Sequence, residues 1–207
     1  MRIILALASS AALAACTAIG APHEIVSRDS GDWRTAATNH DRERLRDWRK
    51  AFTEGLAKAR TAGHGADIQR EGALLDPDAA IGEVPIPNGD YSCRVLKIGA
   101  KSAGLLDFVA YPAFRCRIQQ ERGLQGFAKL TGSQRPVGLV FPGDALRQVF
   151  LGTLVLGDES RAMQYGRDAE RDVAGFVERI GANRWRMVQP YPAFESTVDV
   201  IELVPAR

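Results

Sequence analysis

The residues best placed to do chemistry fall in two segments. The string Lys129-Leu130-Thr131-Gly132-Ser133-Gln134-Arg135 has the composition of a hairpin turn. Its tip offers Lys129, Ser133, Gln134 and Arg135 to an anionic or amide group; the alternative is turn chemistry plus one solvated arginine. The segment 157–172 is denser in charge and carries Asp158, Glu159, Asp168, Arg171 and Asp172. Asp158 and Glu159 could form an acid–base pair, or join Asp168 around a metal. Adjacent carboxylates diverge, however, and the spacing of a calcium loop is absent. A solvated loop with internal ion pairs, or a loop that binds a partner, are the plainer readings. No catalytic set accompanies these groups. His23, His40 and His64 all lie towards the N-terminus, and no Gly-x-Ser-x-Gly elbow is present. The expectation is a non-enzymatic protein with no metal and no cofactor.

Three cysteines leave one to be explained apart from any pair. Arg2 is a short basic start, Ile3 to Leu13 is an apolar run too short to span a bilayer, and Leu13-Ala14-Ala15-Cys16 follows. That ending resembles the lipobox of bacterial lipoproteins. The resemblance implies cleavage before Cys16, with residues 1–15 as signal peptide, and palmitate-type acylation of Cys16. Thr17 is not the aspartate of inner-membrane retention, so the expected place is the periplasmic face of the cell envelope, on the outer membrane. A plain secretory signal with an incidental Cys16 is the other reading. Cys93 and Cys116 remain. Tyr91, Cys93 and Val95 alternate on one face of a strand, as do Phe114, Cys116 and Ile118. In an oxidising compartment a disulfide would join the two strands from the core side, worth about 3.4 kcal/mol in the chain-entropy account. Two buried thiols are the alternative.

These side chains need elements to hold them. Residues 16–38 show no sustained period and read as the lipidated cysteine and a tether, with Trp33 docked on the body. Leu45, Trp48, Phe52, Leu56 and Ala59 give a helix over 39–62, with Thr38 or Asn39 as N-cap and Gly63 as stop. Glu54 and Lys58 are spaced for an ion pair on it. Residues 66–75 allow a second short helix, ended by Asp76-Pro77. From Tyr91 the period changes to two, with strands expected at 90–98, 108–118, 124–131, 135–141, 147–156, 172–180, 184–189 and 197–204. The expected fold is α+β. An N-terminal helix or helical hairpin packs on an antiparallel, barrel-like sheet of about eight strands, a single domain over 39–207.

Several strings match a family: Gly89-Asp90-Tyr91-Ser92-Cys93-Arg94, the Lys129–Arg135 run, Phe150-Leu151-Gly152-Thr153, Arg171-Asp172-Val173-Ala174-Gly175 and Arg184-Trp185-Arg186. With the Trp48 helix and the Leu203-Val204-Pro205 end, the chain resembles a bacterial lipoprotein family built on a domain of unknown function (family 4893). The resemblance implies one unit from about 30 to 205. It implies no activity, cofactor or catalytic residue.

Lys and Arg number 27 against 25 Asp and Glu, a net charge of +2. That balance argues against a nucleic-acid binder. Arg94, Arg115 and Arg117 share the face opposite the cysteines, and Arg179, Arg184 and Arg186 extend the row. Like charges side by side repel, so Glu178, Asp199 or Glu202 should sit among them, or an anionic partner should. Trp185 is expected in the core. The leading functional expectation is an envelope protein, held at the membrane by its N-terminal lipid, that binds a protein partner. A lipocalin-like carrier of a small hydrophobic ligand, or a periplasmic protease inhibitor, are alternatives.

Overall fold

A computed structural model describes residues 25–26, 31–82 and 85–206. Among the described residues four helices with full bounds precede the sheet: α1 (Trp33–Ala36), α2 (Asn39–Arg46), α3 (Trp48–Thr61) and α4 (Gly65–Glu71), then a 3₁₀ turn, Gly72–Leu75. Thr38 is the N-cap of α2, its hydroxyl accepting from the Asp41 N–H at 3.1 Å. The helix expected over 39–62 is broken at Asp47. The bend lets one apolar stripe serve two patches of a curved wall. Leu45 packs with Leu139, Phe141 and Leu151, while Phe52, Leu56 and Ala59 pack with Leu96, Ile98 and Val198. Where α3 crosses the wall, Gly55 and Gly99 meet. A Cβ on Gly99 would lie 2.7 Å from Gly55 Cα, and its φ of +74° already disfavours any side chain.

Nine strands follow: β1 (Gly89–Ala100), β2 (Phe108–Ala110), β3 (Phe114–Glu121), β4 (Leu124–Lys129), β5 (Gln134–Phe141), β6 (Arg147–Leu156), β7 (Asp172–Gly181), β8 (Arg184–Pro190) and β9 (Ser196–Pro205). Neighbours pair antiparallel in the order β1-β3-β4-β5-β6-β7-β8-β9, and β9 returns to β1. The result is a closed eight-strand up-and-down barrel with one extra strand. The extra strand comes from splitting the expected 108–118. Pro112 has no N–H to give a ladder, so β2 pairs with Leu96–Ile98 and β3 with Gly89–Cys93 of the long β1. We call the end where β1 finishes and β3 begins the upper end.

Inward side chains fill the lower barrel. Tyr91 meets Trp185 edge-on at 6.3 Å, and Phe127 meets Phe150 at 5.5 Å. Trp185 is core, as its alternation requires. Two further apolar clusters lie outside the wall, under α1–α2 and under α3–α4. Ile25, Val26 and Trp33, expected in the tether, pack into the first of these.

Five of the six arginines of the row meet carboxylates within the fold, and Arg179 donates to the Gly181 carbonyl instead. Arg94 pairs with Glu71 and Glu202, Arg184 with Glu202, and Arg115 and Arg117 with Asp90. Arg186, fully buried on the outer wall, donates to Glu178 at 2.7 Å and to the carbonyls of Ala73, Leu74 and Asp76. It thereby pins the 3₁₀ turn to β8. Glu178 also accepts from Arg147 at 2.6 Å. The expected Glu54–Lys58 pair is not made. Glu54 accepts from the Tyr191 hydroxyl, and Lys58 donates to Ala100 O and Thr197 Oγ1. For Lys58, long-range partners outcompete a helix-surface ion pair worth about 0.3–0.5 kcal/mol, while Glu54 keeps a looser one with Lys50 at 3.9 Å.

Candidate binding site at the barrel mouth

Period two continues along each strand to the upper end, but there the inward positions turn polar. Lys97 of β1 follows Tyr91, Cys93 and Val95 on the inner face. Lys129 of β4 lies opposite Cys116, and Asp199 of β9 lies opposite Lys97. With Gln134 of β5 and Gln189 of β8 these residues ring an open cavity of about 320 Å³. Val95, Phe114 and Ile201 give it apolar walls, and Tyr111, Ser133 and Glu195 form part of its rim.

Charge is unevenly satisfied in this mouth. Lys97 Nζ sits 3.0 Å from Asp199 Oδ2 and 3.2 Å from Glu195 Oε2. Burial works against its charge, yet the two carboxylates outweigh burial and hold its pKa above the ordinary lysine range. Burial pushes the Asp199 carboxyl up, while Lys97 and the Ser196 hydroxyl, which donates to it, pull the other way. Lys129 differs. Its Nζ donates to the Gln134 carbonyl at 2.7 Å and lies 4.2 Å over the Phe114 ring. Among the described residues no carboxylate pairs with it, and burial lowers its pKa.

The profile of a protein family described as domain of unknown function (DUF4893) matches residues 33–203. The chain belongs to this family. No curated protein and no solved structure is similar enough to the chain to match it. The match runs from α1 into β9, so the mouth and the helices around the wall are parts of the DUF4893 domain.

The domain brings together three of the residues singled out in sequence, Lys129, Ser133 and Gln134, and sets the other five outside the wall. Arg135 donates to the carbonyls of Gly132, Gly157 and Glu159 at 2.6–2.7 Å, tying the β4–β5 turn to the β6–β7 connection. Glu159 accepts from the Leu156 N–H and both Arg171 amines, and the Arg171 hydrogen bonds pull its carboxyl down to about 2. Asp158 is exposed and lines a separate surface groove beside Ser160. Asp172 Oδ1 accepts from the Gly166 N–H, and its carbonyl from Arg44. The charges of 157–172 therefore serve mainly to fold that connection. Among the described residues no cluster suits a metal ion.

Cys93 and Cys116 share the inner face of adjacent strands, as their alternation requires. Both are free thiols, and the expected bridge is not formed in this structure. Register explains the offset: Cys93 lies opposite Phe114 and Cys116 opposite Tyr91, so the two thiols are diagonal neighbours. Burial and a hydrogen bond with Cys93 push the Cys116 thiol far up. Cys16 lies outside the described residues.

Sequence reading missed Lys97, Gln189, Tyr111, Phe114 and Glu195 as site residues, and it set Asp199 among the arginines of the outer row, whereas it lies in the mouth against Lys97. The available signal was parity: Lys97 and Asp199 are charged residues on otherwise apolar inward positions.

Asp172 gives a test of the connection. Burial raises its carboxyl to about 6 against the Gly166 N–H that donates to it and against Arg44, with Asp41 and Asp168 adding to the shift. The folded state therefore keeps a proton that an ordinary aspartate releases near ~3.9. Stability contributed by this group falls as pH rises from about 4 to about 6, by about 2–3 kcal/mol, and stays low above. Asp172→Asn is expected to flatten that part of the stability profile and to melt higher than wild type at pH 8. Urea midpoints across pH 4–8 decide, and a variant profile parallel to wild type overturns the assignment.

Proposed function

We propose that this protein is a non-enzymatic binding protein of the bacterial envelope, held at the membrane through Cys16, and that the barrel mouth receives its ligand. One observation carries the second half: the lower barrel is plugged by Tyr91, Phe127, Phe150 and Trp185, while a polar-ringed cavity stays open above them. A long apolar ligand, as in a deep lipocalin-like calyx, has no room below. A compact small molecule fits the geometry better than the protein partner that the sequence puts first. The lipobox-like ending supports the anchor.

Mass spectrometry of the protein extracted from its host membranes tests the reading. The expected result is an N-terminal Cys16 peptide bearing diacylglycerol and acyl mass, and a small molecule retained under native conditions. A protein with unmodified Cys16 and a clean apo mass overturns it.

A further inference from the structure

We propose that the mouth cavity takes a compact organic anion, a single negative charge on a flat apolar body, with Lys129 as its counter-ion. The inference rests on the mouth being the ligand site and adds the chemical class. Its starting point is a contrast among the buried and half-buried cations. Lys97 has Asp199 and Glu195, Arg44 has Asp41, Arg94 has Glu71 and Glu202, and Arg186 has Glu178. Arg135 and Arg42 have no carboxylate, but carbonyl and amide oxygens take up their donors, and Arg179, at the lower end of the barrel and away from the mouth, donates to the Gly181 carbonyl. Lys129 has one carbonyl and one ring face. An ammonium carries three donors, so part of its capacity remains open on the cavity side. Withdrawing a charge from water without a counter-ion is costly, and a bound anion would relieve that cost.

The surroundings narrow the class. Phe114 lies against the Lys129 ammonium, and Val95, Tyr111 and Ile201 complete an apolar surface suited to a flat body. Gln134 and Gln189 put amides on the wall for a further polar group. The volume of about 320 Å³ is at the small end for ligand pockets. Across the cavity Lys97 faces two carboxylates, one more than it neutralises. A second negative charge on the ligand would meet that excess, which favours a monoanion such as a carboxylate over a phosphate dianion.

The test titrates the full-length protein with three probes sharing one phenylalkyl body: 3-phenylpropionate, 3-phenylpropan-1-ol and phenethyl phosphate at pH 8. Calorimetry and ligand-observed NMR read the affinities. The carboxylate is expected to bind about tenfold or more tighter than the alcohol, the scale of a charge-assisted hydrogen bond. Lys129→Met is expected to abolish that preference while keeping the alcohol's affinity, and Lys129→Arg to retain it, which also covers a Met variant that fails to fold. Equal binding of acid and alcohol, or a preference that survives in Lys129→Met, overturns the class and leaves the mouth as a binding site. Tighter binding of the phosphate overturns the single-charge assignment. No binding by any probe overturns both the class and the mouth site.

Discussion

Arg186→Leu is expected to cost about 3–5 kcal/mol of unfolding free energy, the scale of breaking a buried ion pair by removing one partner. The guanidinium is fully buried on the outer wall. Burial lowers its pKa against the pull of Glu178. Leucine fills most of the side-chain path beside Phe52, whose ring lies 5.2 Å from the guanidinium carbon, but it can donate nothing. Glu178 keeps only Arg147, and the carbonyls of Ala73, Leu74 and Asp76 lose their common donor. Each orphaned buried acceptor adds a desolvation penalty of about 1–3 kcal/mol unless the turn moves to meet water. The 3₁₀ turn should therefore loosen from β8 as well as destabilise. For a chain of this size the loss corresponds to roughly 6–20 °C in Tm. Arg49→Ala is the control: its pair with Asp78 is exposed, and such pairs contribute about 1 kcal/mol or less. Urea unfolding of the two variants side by side decides. A loss below about 1 kcal/mol for Arg186→Leu would show that the pinning interaction is dispensable.

Gly138→Ala carries the second large effect. Gly138 of β5 lies opposite Gly152 of β6, at a place where the two strands leave no room for a side chain. A Cβ there would stand 2.1 Å from Leu151 O and 2.4 Å from Gly152 Cα. Both obstacles are backbone, so no rotamer change relieves them, and the ladder between β5 and β6 must open. Overpacking of this kind costs about 1–3 kcal/mol and more when backbone must move; about 3 kcal/mol or more is expected here. Gly104→Ala separates space from backbone strain. Its φ of +87° penalises a side chain, yet nothing lies within 4 Å of the added atom, and only about 1–2 kcal/mol should be lost. If the two variants melt together, the close approach of β5 and β6 is not what selects glycine at Gly138.

Much of this fold is written in local pattern. Alternation about Cys93 and Cys116 sets both on one face of neighbouring strands, and Thr38 announces the start of α2. Seven of the expected strands fall within two residues of their observed ends. What escapes is non-local or competitive. Nothing near Asp47 says that a continuous helix stripe must bend around a curved wall. Glu54 and Lys58 have the right spacing for each other, but Tyr191 and Thr197, far along the chain, claim them. At the site the difficulty inverts. The hairpin and the charged connection draw attention because polar residues crowd together in sequence, yet Arg135, Glu159 and Arg171 are consumed by the backbone and by one another. Lys97 and Asp199 stand isolated in their strands, and only barrel closure makes them a pair.

That closure has a consequence during synthesis. The seam joins Tyr91–Ala100 to Ser196–Pro205, so the barrel cannot shut until its last strand has emerged. Until then one whole edge of the longest strand presents unpaired N–H and C=O groups, as a template for any strand that arrives first. The late pairing gives high contact order and slow completion. At high local concentration the same geometry lets one chain's β9 fill the gap in another. A two-chain exchange built on this single seam is the misassembly that this topology invites, and lower expression should suppress it.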